Sequence, residues 1–205
     1  MDFITPNRFD LMAKYLYVKY KHLDLLFYKE LYLKHIEVFN KCWEHPGTKV
    51  NVDDFIKSFD NLIESIKNNG YNSNYPIEIG NNNVIINGSH RLMISYFYNI
   101  KPILKFEHKK GCEYNYDFFL NRNNYWRRDN EKYINLENIY ADTMALEYVK
   151  IKNNIRSIVF YPNVFHLLKD NIENVYKIIQ EYGYLYYQKQ IKLTEQGVRN
   201  LIKEM

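Results

Sequence analysis

The sequence contains little cysteine, proline or glycine. Its 205 residues include 2 cysteines, 5 prolines and 7 glycines, which excludes collagen-like and elastic low-complexity chains. The two cysteines, Cys42 and Cys112, are too few for a disulfide framework. No CxxC, HExxH or paired Cys/His spacing is present, so the sequence predicts no zinc site. Cysteine use of this kind is typical of a reducing compartment, and we expect a cytoplasmic protein.

Long apolar runs and a leader segment are also missing from the sequence. No apolar run approaches the roughly 20 residues that span a bilayer, so we expect no membrane partner. The amino terminus carries Asp2 and has no basic flank before an apolar core, which disfavours a signal peptide. The last predicted helix reaches Met205 without a C-cap, a pattern typical of a fragment of a longer protein. The sequence leaves the oligomeric state open.

The composition that remains is that of a folded protein with a mild basic excess. Hydrophobic residues make up 46% and charged residues 25%, which is enough apolar surface to exclude disorder across the whole chain. The net charge of +4 suits a nucleotide-binding protein but disfavours duplex DNA as a partner. The aromatic content of 17% fits either an AT-rich genome or a surface on which bases or sugars stack.

The order of the hydrophobic patterns predicts an α+β fold in four parts. These parts are an N-terminal helical region over residues 1–48 and a compact α–β–β–α–β unit over 49–110. A Tyr/Asn-rich loop over 111–137 and a C-terminal α/β region over 138–205 follow. Thr5 and Pro6 predict the start of the first helix. In the second part, apolar residues three or four apart predict a helix over 52–69 that ends at Gly70. Short apolar runs predict strands over 76–79, 84–86 and 102–106.

The strongest functional signal is the turn between the second predicted strand and the next helix. The first amides of a helix lack intrahelical partners and the helix dipole places positive charge there, so a glycine-led helix start is a typical anion site. Gly88 lets a phosphate approach the backbone, Ser89 offers a hydroxyl, and Arg91 can hold phosphate with two N–H donors. His90 can donate a hydrogen bond and, as imidazolium, adds charge. The predicted cofactor-binding residues are Asn87, Gly88, Ser89, His90, Arg91 and Lys49.

A purely structural explanation stays open for these residues. Ser89 can serve only as a helix N-cap, while His90 and Arg91 can be solvated side chains of the first turn. Lys49 can be a solvated loop lysine. A basic pair at a helix N-terminus opposes the dipole, however, which favours an anion at this place.

The motif and its flanking elements resemble the ParB/sulfiredoxin superfamily. The motif is Val84-Ile-Ile-Asn-Gly-Ser-His-Arg-Leu92, preceded by an amphipathic helix and a Pro76-Ile-Glu-Ile79 strand, and the likeness covers about residues 49–108. It implies a small mixed sheet with helices that binds a nucleotide, with His90 and Arg91 holding the phosphates. Sulfiredoxins need a cysteine where this chain has Ser89, and chromosome-partitioning ParB proteins continue with a helix-turn-helix that the sequence does not show. The resemblance is nearest to the free serine kinase branch, which implies ATP or ADP with Mg²⁺.

A fainter resemblance concerns the regions outside this motif. Arg8-Phe9-Asp10 with Lys14, the later Tyr140-Ala-Asp142 with Glu147-Tyr148, and Phe160-Tyr-Pro162 are similar to segments of bacterial proteins of capsule and surface-polysaccharide biosynthesis. This likeness implies a kinase that acts on a sugar or polyol precursor.

Phosphoryl transfer to a hydroxyl also needs a carboxylate that orients or deprotonates the acceptor. In the kinase branch this residue is a glutamate ahead of the amphipathic helix, and the nearest positions here are Asp53 and Asp54. Glu78 on the first predicted strand is a further candidate. Structural alternatives stay open, because carboxylates suit a helix N-terminus and Glu78 suits the exposed side of a strand. Mg²⁺ would be held mainly by the phosphates, with one or two carboxylates.

Two other groups of residues carry weaker signals. Residues 125–128, Tyr-Trp-Arg-Arg, can stack on a base or sugar, or can anchor a loop that carries surface arginines. The remaining histidines show no spacing for a metal site and are predicted to be packing or surface residues: His22, His35, His45, His108 and His166.

Three functions follow from the sequence. The leading prediction is a nucleotide-dependent phosphotransferase that acts on a small hydroxyl compound such as an amino acid, polyol or sugar. The alternative is a non-enzymatic ParB-like module that binds a nucleotide or DNA. The third possibility is a scaffold that keeps the fold and has lost the reaction. This possibility would be supported if the carboxylates do not converge on the turn; they are Asp53, Asp54 and Glu78.

Overall fold

The computed structural model describes residues 3–23, 25–42, 49–122 and 134–152. They belong to a compact unit that spans Met1–Lys152, while a second unit spans Asn153–Met205. The predictions for residues 125–128 and for everything after residue 152 lie outside the described residues, and so does His45.

The described chain is a mixed α+β structure, as the sequence predicts. Its helices are α1 (Asp10–Tyr20), α2 (Leu26–Asn40), α3 (Val52–Asn69), α4 (Ser89–Phe97), α5 (Tyr116–Leu120) and α6 (Asn138–Lys152), and a 3-10 turn (Lys21–Leu23) follows α1. The strands are β1 (Ile77–Ile79), β2 (Ile85–Asn87) and β3 (Leu104–Phe106). This confirms the α+β class, and the superfamily stays a prediction.

The amphipathic helix α3 forms where its apolar spacing places it. The residues that it buries are Phe55, Phe59, Ile63 and Ile66. The side chain of Asn51 caps the helix by accepting a hydrogen bond from the Asp54 amide at 2.9 Å. Gly70 ends it with φ 76° and ψ −173°, a backbone conformation open essentially only to glycine.

The three strands form one small sheet in the order β2-β1-β3. β1 is antiparallel to β2 and parallel to β3. Ile77 and Ile79 of β1 are fully buried, and Glu78 between them points to the other face because side chains alternate along a strand. The face of the sheet that carries Ile77 and Ile79 therefore packs against the core. At the end of β2 the chain enters α4.

The first helix starts later than the sequence predicts. α1 begins at Asp10, and Thr5 is not its N-cap. The reason is a long-range backbone pairing, because Arg8 forms a parallel bridge with Tyr114 and the Phe9 amide donates to the Tyr114 carbonyl at 2.8 Å. This pairing keeps the preceding residues out of the helix.

The predicted Tyr/Asn-rich loop at 111–137 is not a loop throughout. It contains the short helix α5, which the side chain of Asn115 caps by accepting from the Phe118 amide at 2.9 Å. Phe118 and Phe119 are buried, so part of the aromatic content of this segment serves core packing.

Candidate anion-binding site

The turn formed by residues 88–91 joins β2 to α4 through a glycine that the backbone requires. Gly88 has φ 93° and ψ 18°, in the left-handed region that favours glycine. A Cβ at this position would lie 3.2 Å from the Ile77 Cα and 3.2 Å from Nη2 of Arg91. The glycine therefore allows close contact with β1, and it holds the first turn of α4 against the sheet.

The N-terminus of α4 has no side-chain cap. Gly88 occupies the N-cap position and Ser89 is the first helical residue, so Ser89 is not the cap. The first backbone hydrogen bond of the helix runs from the Leu92 amide to the Gly88 carbonyl at 2.8 Å. Among the described residues none accepts from the amides of residues 89, 90 and 91, which leaves three donors beside the positive end of the helix.

Arg91 is fixed beside this helix start. Its Nη1 donates to the backbone carbonyls of Tyr75 and Pro76, the second at 3.3 Å. In the described parts of the chain no carboxylate pairs with Arg91, so its positive charge is not neutralised there. The guanidinium is oriented by neutral acceptors and keeps its charge for an anion.

His90 is held by aromatic neighbours. Its Nε2 lies 3.0 Å from the Tyr32 hydroxyl, and its ring meets the Phe59 ring edge-on at a centroid distance of 4.5 Å. Burial lowers the pKa of His90 well below its usual range, and the charges of Lys14 and Lys49 lower it further. His90 is thus a neutral hydrogen-bonding group at neutral pH in the free protein, and not the imidazolium that the sequence allowed.

Behind His90 lies a buried group of three charged side chains, Arg8, Asp10 and Lys14, which we call the Asp10 triad. Each is at most 4% exposed. The Asp10 carboxylate accepts from Nε and Nη2 of Arg8 at 2.8 and 2.9 Å, and from Nζ of Lys14 at 2.6 Å. Arg8 also donates from Nη1 to the Ile85 carbonyl of β2. The triad therefore links α1 to the strand that enters the 88–91 turn.

The charges of the triad are tightly coupled. Burial by itself would raise the pKa of Asp10, but Arg8 and Lys14 outweigh it and hold that pKa far below the usual range. Burial lowers the pKa of Lys14, and Asp10 opposes this only in part. Asp10 is therefore permanently ionised and is no candidate for a general base.

His35 completes the polar interior next to the triad. It is fully buried, as a packing residue would be, and its Nδ1 donates to the Tyr32 carbonyl. Burial and the charge of Lys14 lower its pKa to about 3. Its Nε2 has no hydrogen-bond partner in the described structure, so a neutral acceptor is buried without a donor.

The other predicted binding residues lie at the edges of this site. Lys49 is partly buried with its ammonium 5.2 Å from the centre of the Phe55 ring, and its charge reaches His90. Asn87 is exposed at the end of β2, directly before the turn. The charge of Lys49 thus acts on His90, while Arg91 reaches the Tyr75 and Pro76 carbonyls.

Within the described structure, no hydrogen bond or ion pair joins the three predicted catalytic carboxylates to residues 88–91. Asp53 is exposed, and Asp54 accepts from the Val50 amide at 3.1 Å, a contact within its own helix cap. Glu78 pairs with Asn87 across the antiparallel ladder and with Lys105 across the parallel one. Register therefore places the backbone of Glu78 opposite Asn87, the residue before the turn, with its side chain on the face of the sheet opposite to the buried Ile77.

A large cavity lies elsewhere in the described structure. Its volume is about 720 Å³, and none of residues 88–91 lines it. Its lining residues are Glu30, Leu33, Lys34, Glu37, Lys41, Cys42, Val52, Ile134 and Tyr140. The chemistry of the candidate site thus does not coincide with this cavity.

Sequence reasoning missed the role of the first helix. Arg8, Asp10 and Lys14 entered only through a faint resemblance, and His35 only as a packing residue. One signal was present, because Asp10 and Lys14 carry opposite charges four residues apart and are therefore neighbours on the helix surface. Opposite charges at this spacing predict an ion pair, and the apolar residues between them, Leu11, Met12 and Ala13, favour its burial.

Within the described ranges, no three His, Cys, Asp or Glu side chains are grouped as a metal site would need. The turn offers three backbone amides and the Arg91 guanidinium, which are donors that fit phosphate oxygens and cannot ligate a metal ion. None of the described helices is both long and apolar enough to cross a membrane.

Comparison with known proteins adds no relative. No protein-family model matches the chain, and no significant match is found among the curated proteins or the solved structures. The likeness to the ParB/sulfiredoxin superfamily therefore stays a prediction, and the function has to be argued from the geometry of the site.

Proposed function

We propose that the protein is a nucleotide-dependent phosphotransferase, with the phosphates of ATP or ADP bound at the 88–91 turn. The observation that carries the proposal is the uncapped start of α4, where three amides without described acceptors lie beside Arg91, which no described carboxylate neutralises. Amide donors, a helix dipole and a guanidinium are the groups that bind phosphate oxygens in proteins.

Each side chain of the turn has a definite part in this binding. Arg91 supplies permanent charge from a guanidinium that the Tyr75 and Pro76 carbonyls orient. His90 supplies a hydrogen bond from a ring that Tyr32 and Phe59 hold in place. A bound phosphate raises the pKa of His90, since an adjacent anion favours the protonated ring. Phosphate binding and proton uptake are therefore linked.

The transfer itself moves the terminal phosphoryl group from the nucleotide to an acceptor hydroxyl. The bond from phosphorus to the bridging oxygen breaks, a bond to the acceptor oxygen forms, and the hydroxyl proton passes to a carboxylate. Asp53, Asp54 and Glu78 stay the candidates for that carboxylate, and the backbone of Glu78 pairs with Asn87 beside the turn. The acceptor remains a small hydroxyl compound, such as an amino acid, polyol or sugar precursor of a surface polysaccharide.

Mg²⁺ enters this proposal together with the nucleotide. The described residues form no cage of carboxylates, so the phosphates would supply most of its ligands. The protein's own contribution is to hold the phosphate oxygens and to orient the acceptor.

The test is nucleotide binding by wild-type protein and by Arg91→Ala, measured by calorimetry with ATP, ADP and CTP in the presence of Mg²⁺. Removing a charged phosphate contact should weaken binding by about tenfold or more. Lys101→Ala is the matched control, because this exposed lysine precedes β3 and no described contact brings it to the turn. Its affinity should equal that of the wild type.

Two results would decide against the proposal. If wild-type protein binds none of the three nucleotides, the turn is no nucleotide site. If Arg91→Ala binds as tightly as wild type, the phosphates lie elsewhere. Transfer of labelled phosphate from ATP to a panel of amino acids, polyols and sugars then tests the reaction itself.

A second candidate function is a nucleotide-binding module without catalysis. The observation that favours it is that no described hydrogen bond or ion pair joins Asp53 or Asp54 to the turn, and that Asp54 is engaged in its own helix cap. Such a module would bind nucleotide with the same Arg91 dependence and would transfer no phosphate to any acceptor. Salt-dependent retention on DNA would extend this reading to nucleic acid.

A further inference from the structure

The Asp10 triad carries more positive than negative charge. Arg8 and Lys14 share a single carboxylate, and all three side chains are buried. The groups that act on neighbouring His90 are Lys14, His35, Lys49 and Asp10, of which only Asp10 is acidic. Glu147, the other buried carboxylate of the described chain, pairs with Lys19 at 2.6 Å instead. The interior beside the turn therefore holds one buried cation in excess.

A buried excess charge is expensive unless something compensates it. Removing an ion from water costs several kcal/mol, so an unmatched cation in a protein interior is expected to have an anionic ligand. Burial lowers the pKa of Lys14, which shows that the free protein does not fully stabilise its ammonium form. An anion nearby would hold the proton on this amine.

The position of the Asp10 triad in the fold indicates where such an anion would bind. Arg8 bonds to the Ile85 carbonyl, two residues before Asn87, and α1 packs directly on α4. The uncapped amides of α4 belong to the same first turn as His90, and the buried Nε2 of His35 has no hydrogen-bond partner in the described structure. Lys14 itself is only 4% exposed, so its charge acts through the interior and not by open contact.

We propose that Lys14, held by Asp10, is the residue that makes the 88–91 turn selective for highly charged phosphates. The buried charge interacts with the ligand across a region of low dielectric, so its effect grows with each negative charge on the ligand. The site binds triphosphate more tightly than diphosphate, and diphosphate more tightly than monophosphate. Lys14 determines how strongly the affinity rises with each added phosphate. This inference rests on the proposed phosphate binding at the turn, and not on the transfer reaction.

The test uses inorganic phosphate, pyrophosphate and tripolyphosphate as probes, titrated at constant ionic strength into wild type and Lys14→Met. Methionine keeps the length of the side chain and removes its charge. We expect Lys14→Met to bind tripolyphosphate about tenfold more weakly or worse, and to lose less affinity for the less charged probes. Lys19→Met is the matched control on the same helix, because Lys19 also pairs with one carboxylate, and it should leave all three affinities unchanged.

Two further readouts separate this role from a structural one. Lys14→Met should raise the pKa of His90 in NMR titrations of the free protein, because the charge of Lys14 contributes to its depression. Lys14→Gln also removes the charge but keeps an N–H donor for the Asp10 carboxylate, so it should weaken tripolyphosphate binding as Lys14→Met does. This second neutral variant keeps the test decisive should Lys14→Met fail to fold.

The outcomes distinguish this inference from the proposed function. If tripolyphosphate binding depends on Lys14 but no acceptor is phosphorylated, the inference holds and the enzyme proposal fails. If wild type binds all probes with the same affinity as Lys14→Met or Lys14→Gln, the inference is overturned and nucleotide binding at the turn survives. If wild type binds neither nucleotide nor polyphosphate, both are overturned.

Discussion

The hydroxyl of Tyr32 lies 3.0 Å from Nε2 of His90, and the backbone carbonyl of the same tyrosine accepts from Nδ1 of His35. Tyr32 on α2 thus connects a histidine at the start of α4 with a second, fully buried histidine. Since a carbonyl only accepts, Nδ1 of His35 carries the proton and its Nε2 is a free lone pair in the neutral ring. One aromatic residue orients both rings.

Removing this hydroxyl should disturb the site more than the fold. Tyr32→Phe deletes the hydrogen bond to His90 and leaves the tilted ring contacts with Tyr17 and Phe59, so the free energy of unfolding should fall by about 1 kcal/mol. The released His90 ring should weaken nucleotide binding, measured by calorimetry. Tyr17→Phe is the control, since it removes a 2.8 Å hydrogen bond to Asp60 at comparable cost, without touching His90. Equal nucleotide affinities in the two variants would contradict the role of Tyr32.

The buried histidines make the fold sensitive to mild acid. The pKa of His35 falls from 6.5 to about 3 on folding. Between these two pH values the ring is protonated in the unfolded chain and neutral in the folded chain. Stability from this group is complete above pH 6.5 and declines as the pH falls from there toward 3. Between pH 6.5 and 5.5, His35 alone should lower the free energy of unfolding by about 1 kcal/mol. Urea unfolding across this range measures the slope.

The control for this pH dependence is a histidine on the surface. His22 is exposed in the 3-10 turn after α1, and His22→Asn should leave the slope as it is in wild type. His35→Asn keeps a donor for the Tyr32 carbonyl and removes the titrating ring, so it should flatten the slope even though it leaves a cavity. A wild-type slope in His35→Asn would show that other groups govern the acid response.

Alanine substitutions at two glycines with positive φ, Gly88 and Gly70, distinguish the effect of backbone strain from the effect of contacts at the turn. Gly88→Ala should destabilise the protein by about 1–2 kcal/mol through its left-handed backbone alone. It should also weaken nucleotide binding, because its Cβ displaces Ile77 or Arg91. At Gly70 nothing lies within 4 Å of such a Cβ, so Gly70→Ala should cost stability and leave binding unchanged. Binding lost equally in both variants would indicate a general loss of structure.

The local patterns of the sequence predicted the elements that short-range chemistry determines. Helix α3 has the predicted ends because its apolar stripe, the Asn51 cap and Gly70 all lie within its own segment. The turn at Gly88 was predictable for the same reason. These features need no knowledge of the rest of the chain.

Features that depend on distant residues were not predictable in this way. Helix α1 starts at Asp10 and not near Thr5 because the backbone of Arg8 pairs with Tyr114. The Asp10 triad joins the site only because Arg8 reaches the Ile85 carbonyl, 77 residues along the chain. The low pKa of His90 arises from burial and from Lys14, which no spacing within the 88–91 motif reveals.

The choice among the candidate carboxylates gives the sharpest test of catalysis. Glu78→Gln keeps the size and the strand position of the side chain and removes its ability to accept a proton. If Glu78 deprotonates the acceptor, phosphoryl transfer should fall by about 100-fold or more, with nucleotide affinity unchanged. Asp54→Asn is the control, because an amide oxygen can still accept from the Val50 amide and preserve the cap. Full transfer by Glu78→Gln together with loss in Asp54→Asn would move the base to the start of α3, where the family resemblance first located it.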